Sequence, residues 1–317
     1  MTRSEIENRI YGRLNKNRTS VDSTTQTRIR EFVNERHRRL LSMPGMTHLR
    51  ADTATFASVA NQSRYALANV AAVSRLWETT NDRALDPLSL DEYRAINPDP
   101  SNAAGTPTHY VFRGYEPVAK HPADASAIFL KSTSASDTQL AYVEVDLTDG
   151  YPLSLSVSLT GTTAVNLSSS LTTAIRIRKV YLASAAVGVV TLHEDSGTGT
   201  ELARIGVGQT KQRYWVFDLH PQPSGANTYV ADVTLAITDL AQDTDEPRLP
   251  EDFHDLLVLG GALDELIKIN DPRYAVVKSE YDERIADLKY AIARQSAGQS
   301  TSISEWSRLG AAFPAGS

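Results

Sequence analysis

Apolar residues recur at helical spacing near both ends of this chain and lose that spacing between about Ala127 and Ile237. A segment set into the middle of a folding unit needs its two chain crossings close together. The two helical ends are therefore expected to form one unit around a β-rich insertion. In the N-terminal arm Ser4 and Glu7 fit a capping box, and Ile6, Ile10 and Leu14 follow at three- to four-residue steps. After a polar stretch from Asn15 to Ser20, a second helix is predicted from about Ser23 to Leu41, with Ile29, Phe32, Val33, Leu40 and Leu41 on one side. Met43-Pro44-Gly45 stops it. The helical signal returns after Pro247-Arg248-Leu249-Pro250, where Phe253, Leu256, Leu257, Leu259 and Leu263 form an apolar face. Beyond Pro272, Tyr274, Tyr281 and Leu288 interleave with Lys278, Ile285 and Ile292 as a packing stripe.

The middle reads differently. From Thr53 to His121 short β-like runs alternate with Asn, Asp, Pro and Gly. Seven apolar runs then follow: Ile128 to Leu130, Tyr142 to Leu147, Leu153 to Leu159, Ile175 to Leu182, Val189 to Leu192, Tyr214 to Leu219 and Tyr229 to Ile237. Such spacing predicts a β-sandwich of roughly 100 residues. With 317 residues, two folding units are expected. The predicted fold class is α+β: a helical core from residues 1–122 and 243–294, an inserted all-β sandwich over 123–242, and a tail over 295–317. The tail is rich in Ser, Gly and Ala, which predicts flexibility, and it carries two isolated aromatic anchors, Trp306 and Phe313.

Charge is unevenly spread beneath a net value of -6. Residues 1–50 carry 11 Lys/Arg against 5 Asp/Glu, and residues 243–294 carry 7 against 13. Two solvated helical faces would account for this, and so would a meeting of the two ends, within one subunit or between neighbours. There is no cysteine, so disulfides and thiolate chemistry are absent. The seven histidines stand apart, with no pair at metal-binding spacing. Asp243-Thr244-Asp245-Glu246 lacks the glycine and distal glutamate of a calcium loop and reads as a linker. Asp195 to Thr200 reads as a hairpin turn, not a phosphate loop, because the lysine-serine ending is missing. Arg28, Arg30, Arg36, Arg38 and Arg39 could touch phosphate, but aromatic residues for base stacking are sparse around them, and a protein-facing or solvated helix is favoured. No catalytic constellation, cofactor site or metal site emerges, so the chain is not expected to be an enzyme. No apolar run reaches the ~20 residues of a membrane span. The first six residues lack a signal-peptide core, so synthesis and use in cytoplasm are expected.

Three stretches in order resemble the head-to-tail adaptor family of tailed bacteriophages. They are the two opening helices; Leu88 to Arg94 followed by Gly105 to Val111; and the block Asp245 to His254 leading into a helix, with Tyr281 to Leu288 in a second one. The resemblance covers roughly residues 1–122 and 243–294, and the β insertion is a departure from compact members, similar to immunoglobulin-like insertions in phage structural proteins. It implies a virion neck subunit that forms a ring of twelve under the portal, joins a downstream tail or neck protein, and lets genomic DNA pass without sequence-specific binding. It implies Trp306 and Phe313 as contacts to the portal or a neighbour, and Phe253, Leu256, Leu257, Leu263, Tyr281, Ile285 and Leu288 as helical core packing. The competing reading is a carbohydrate- or cell-surface-binding β module, suggested by hydroxyl-rich strands, although aromatic platforms are few.

Overall fold

The computed structural model describes residues 1–96, 104–123, 125–169, 171 and 173–310, with side chains through Arg294. The N-terminal arm gives α1 (Arg3–Arg13) and α2 (Ser23–Leu41). Next come β1 (Ala51–Ala57), β2 (Arg64–Ala68), β3 (Val70–Glu78), β4 (Arg83–Leu88), α3 (Leu90–Ile96), β5 (Ala104–Gly105) and β6 (His109–Glu116). A run of strands follows: β7 (Ile128–Ser132), β8 (Leu140–Leu147), β9 (Pro152–Ser158), β10 (Val165–Asn166), β11 (Ala174–Leu182), β12 (Val190–Glu194) and β13 (Glu201–Ile205). The chain continues through β14 (Tyr214–His220), β15 (Gln222–Pro223) and β16 (Thr228–Leu235) to α4 (Asp255–Lys268) and α5 (Tyr274–Gly310). Among the described residues no helix is long and apolar enough to cross a membrane.

The fold is mixed α and β in two compact units, one of residues 1–50 with 237–317 and one of residues 51–236. In the helical unit Ile6 and Ile10 of α1, Ile29 and Val33 of α2, Leu256, Leu257 and Leu263 of α4, and Tyr281 and Leu288 of α5 share one core. The cap of α1 lies two residues earlier than Ser4 and Glu7: Thr2 and Glu5 make the reciprocal capping box. Glu7 is instead fully buried, drawn inward by Arg3, Arg18 and Arg30 at 3.4, 3.3 and 3.3 Å. Helix α2 is capped by Asp22, whose side chain accepts from the Thr25 amide. Its far end turns at Gly45, where φ is +86°, a conformation that glycine adopts without a Cβ penalty. α4 is buried almost all round because α1, α2 and α5 each pack against it.

The β unit is itself nested. Its seven-stranded sheet runs β1-β16-β3-β4-β6-β14-β2. Although β1 and β2 end that order, the rings of Phe56 and Tyr65 lie 5.3 Å apart, so the sheet curls toward closure. Phe56 also stacks on Tyr229 at 5.3 Å and meets Phe217 edge-on at 5.5 Å, filling the interior. Two further sheets, β10-β7-β12-β13 and β11-β8-β9, enclose a common core that includes Leu130, Val143, Ile177 and Leu192. This sandwich is spliced between β6 and β14, which are paired from Glu116 opposite Tyr214 onward.

The division differs from the expected one. Strands β1, β2, β3, β4 and β6, assigned by sequence to the helical core, belong to the curled sheet, because β1 and β3 find their ladder partner in β16 and β2 and β6 find theirs in β14. All seven predicted runs are strands, but the last two belong to the curled sheet, and β10 and β13 complete the sandwich. The boundaries therefore fall at 50/51 and 236/237 instead of 122/123 and 242/243. Helical backbone continues to Gly310 where a flexible tail was expected from Ser296. Phe313 and the side chain of Trp306 lie outside the described residues.

Candidate assembly surface of the helical unit

The basic N-terminal arm and the acidic C-terminal block meet inside one subunit. Arg28 donates from Nε and Nη2 to Glu265 at 2.8 and 2.7 Å, and Lys16 approaches the same carboxylate at 3.5 Å. Those hydrogen bonds, opposed by burial, hold Glu265 below the usual carboxylate range. Arg36 clamps Asp264 through two donors, which raises its own pKa, and lies 5.1 Å over the Tyr281 ring. Arg3 binds Asp243, Arg13 reaches Glu280 at 2.6 Å and Arg38 reaches Asp239 at 3.5 Å. Arg30 joins Glu7. Four of the five arginines singled out on α2 thus face protein carboxylates. In the acidic loop Asp243 is held by Arg3 and Asp245 accepts from the amides of Ala241 and Gln242 at 2.7 Å. The Asp195 to Thr200 segment is the turn between β12 and β13. Among the described residues no three His, Cys, Asp or Glu side chains gather to hold a metal.

The residues expected in helical packing are brought together. Leu256 and Leu257 are 0% exposed, Leu263, Tyr281 and Leu288 are buried, and Phe253 and Ile285 lie partly buried against the same core. Leu256, Leu257 and Leu288 are wholly interior and hold the unit's shape, whereas Leu263, Tyr281 and Ile285 also line a surface groove and Phe253 is partly exposed.

What remains outside is a groove of about 470 Å³ between α2, α4 and α5. Its apolar lining includes Leu40, Met43, Leu263, Ile267, Tyr274 and Ile285. Ile267 is 54% exposed. Arg36, Arg39, Lys278 and Lys289 stand on its walls with Asp282. Lys278 is tied to Asp282 and Arg36 to Asp264, whereas Arg39 and Lys289 are exposed with no ion-pair partner among the described residues. Sequence reading missed this groove because its residues come from three helices at three different phases of the apolar pattern.

No family model and no curated protein matches the chain. Among solved structures, one titled "Structure of infectious bursal disease virus Gx strain" aligns at 11% identity over 59% of this chain and 38% of that one. Its TM-score of 0.11 carries no argument about this fold.

Proposed function

We propose that the chain is a structural subunit of a tailed-phage neck, a head-to-tail adaptor that forms a ring below the portal and extends the DNA channel toward the tail. The observation that carries this reading is the helical unit built from both chain ends, in which the acidic block from Asp245 to His254 leads into α4 and on to the 37-residue α5. These are two of the three stretches on which the family resemblance rests; the third, Leu88 to Val111, falls in the β unit. Helix α5, at about 1.5 Å per residue, far outreaches the 14-residue α4 it packs on. Its last turns, with Trp306, are the proposed attachment to the portal or to a neighbouring copy. Ring closure takes heterologous contacts between unlike faces. The neutralised α2 arginines and the net charge of -6 suit a conduit through which DNA slides without being held. The chemistry is association alone, and the site of action is the virion. Native mass spectrometry and negative-stain imaging of the purified chain, alone and with portal-bearing capsids, test the reading. Rings of about twelve copies are expected on the portal vertex. A chain that stays monomeric and leaves portal-bearing capsids undecorated would overturn it.

One observation favours a second reading for the β unit, a sugar-binding face. On the sheet β11-β8-β9, Tyr142 and Tyr181 stack at 4.8 Å, and Ser156 pairs with Tyr142 on the exposed edge strand β9. Aromatic surface beside hydroxyls is the chemistry that receives a pyranose ring. Glycan-array binding that is lost in Tyr181→Ala would support it.

A further inference from the structure

We infer that the basic-walled groove between α2, α4 and α5 is one half of a head-to-tail contact between copies of this chain, and that its occupant is the acidic turn Glu251–Phe253 of the next copy. The inference rests on the ring reading above and deepens it by naming the two faces that meet. In the groove, Arg39 and Lys289 are the cations left over once Arg36 and Lys278 have taken Asp264 and Asp282. The turn offers the complement. Glu251 and Asp252 are both exposed, and among the described residues the Glu251 carboxylate pairs only with the Met1 amine, at 4.0 Å. The Asp252 carboxylate has no ion-pair partner among the described residues. Phe253 beside them is partly buried.

The turn is rigid, so little ordering cost attends its docking. Arg284 donates to the Asp252 carbonyl at 2.6 Å, grips Asp255 at 2.7 Å and lies 5.4 Å over the Phe253 ring. The two faces also point different ways. With about 100° per residue along a helix, Arg284, which carries the turn, lies roughly a third of a turn around α5 from the groove residues Lys278, Ile285 and Lys289. With the turn and the groove on different faces of the unit, a contact between them propagates from copy to copy, and it closes into a ring when the rotation between successive copies closes. Apolar floor against Phe253 and charge against charge is the usual anatomy of such a contact.

The test is charge reversal at exposed positions. Arg39→Glu with Lys289→Glu makes one variant, and Glu251→Lys with Asp252→Lys makes the other. All four side chains are exposed, so melting temperatures should match the native chain. Assembly is followed by native mass spectrometry at low salt, alone and on portal-bearing capsids. Each variant alone should lose at least tenfold in apparent association, and an equimolar mixture should recover it, because the acidic groove of one variant then meets the basic turn of the other. Rings that form equally well from both variants would overturn the inference while leaving the ring reading intact, as would a mixture that fails to recover. A native chain that never assembles would overturn both.

Discussion

Arg28 and Glu265 lie 237 positions apart in sequence and make a two-donor ion pair at 2.7 and 2.8 Å, with the Glu265 side chain 0% exposed. The pair fastens the first part of the chain to the last. Removing one member leaves a buried charge with reduced compensation, which costs more than the pair itself contributes. Arg28→Ala is therefore expected to destabilise the helical unit by about 3 kcal/mol, softened by Lys16 at 3.5 Å. Replacing Arg28 by Met and Glu265 by Leu together should restore most of that loss. Urea unfolding of Arg28→Ala and of the cycle Arg28→Met, Glu265→Leu and their double variant measures both effects, and a double variant whose loss equals the sum of its two single losses would show that the two residues are not coupled.

Gly261 of α4 packs directly against Ile10 of α1. A Cβ there would meet Ile10 Cδ1 at 2.6 Å, with Val33 Cγ2 at 3.6 Å on the other side. Because Ile10 is 0% exposed, its end has no open space to move into. Gly261→Ala gains about 1 kcal/mol of helix propensity and loses about 1–3 kcal/mol to overpacking, for a net fall in stability. Ile10→Val, which removes the clashing methyl, should be harmful in the native background and neutral or helpful beside Gly261→Ala. Gly12→Ala is the control: nothing lies within 4 Å of its would-be Cβ, so stability should rise by up to about 1 kcal/mol.

The helices were legible because periodicity is a local signal. α2 spans Ser23–Leu41 as its spacing predicts, and the Leu256, Leu257 and Leu288 stripe is interior. The cap was misplaced because Thr2 with Glu5 and Ser4 with Glu7 satisfy the same spacing rule, and only the distant Arg18 and Arg30 decide where Glu7 goes. Strand partnership is likewise non-local: nothing in Ala51 to Ala57 announces that its ladder lies at Thr228 to Thr234. The groove needed three helices placed side by side before its unpaired cations could be told from the paired ones.

Acid should weaken the helical unit earlier than its carboxylates alone would. His37 is 2% exposed and neither ring nitrogen has a hydrogen-bond partner among the described residues. Burial pushes its pKa from 6.5 down to about 4, with Asp239 opposing the shift and His254, Arg248 and Arg38 adding to it. The unfolded chain therefore takes up a proton near pH 6.5 that the folded chain refuses until about pH 4. Stability is full above that window, declines through it by about 3 kcal/mol, and levels off below it. Glu265 and Asp243 have lowered values, so their contributions fade only below the ordinary carboxylate range. Urea midpoints between pH 7 and 5 should fall in the native chain and fall less in His37→Leu. Parallel profiles would show that His37 is not the group responsible.

Two deletions separate the observed nesting from the one that sequence spacing suggested. The chain leaves the helical unit at Arg50 and returns at Ile237, and the strands on either side of that gap are paired, Ala51 opposite Thr234. Paired strands hold their backbones about 5 Å apart, so a linker of a few Gly and Ser residues can join Arg50 to Ile237 without strain. Every residue of the helical core comes from the retained segments, so the shortened chain should remain soluble, strongly helical by circular dichroism, and cooperative on heating. Removing 126–240 instead cuts β14 and β16 away from β1, β2, β3 and β6. It strands Phe56 and Tyr65 without Phe217 and Tyr229. Open strand edges and an exposed apolar face promote aggregation, so that chain should be recovered mainly as insoluble material. Comparable soluble yield and melting from the two deletions would mean that residues 51–125 do not depend on β14 and β16, and that the curled sheet is not a cooperative unit.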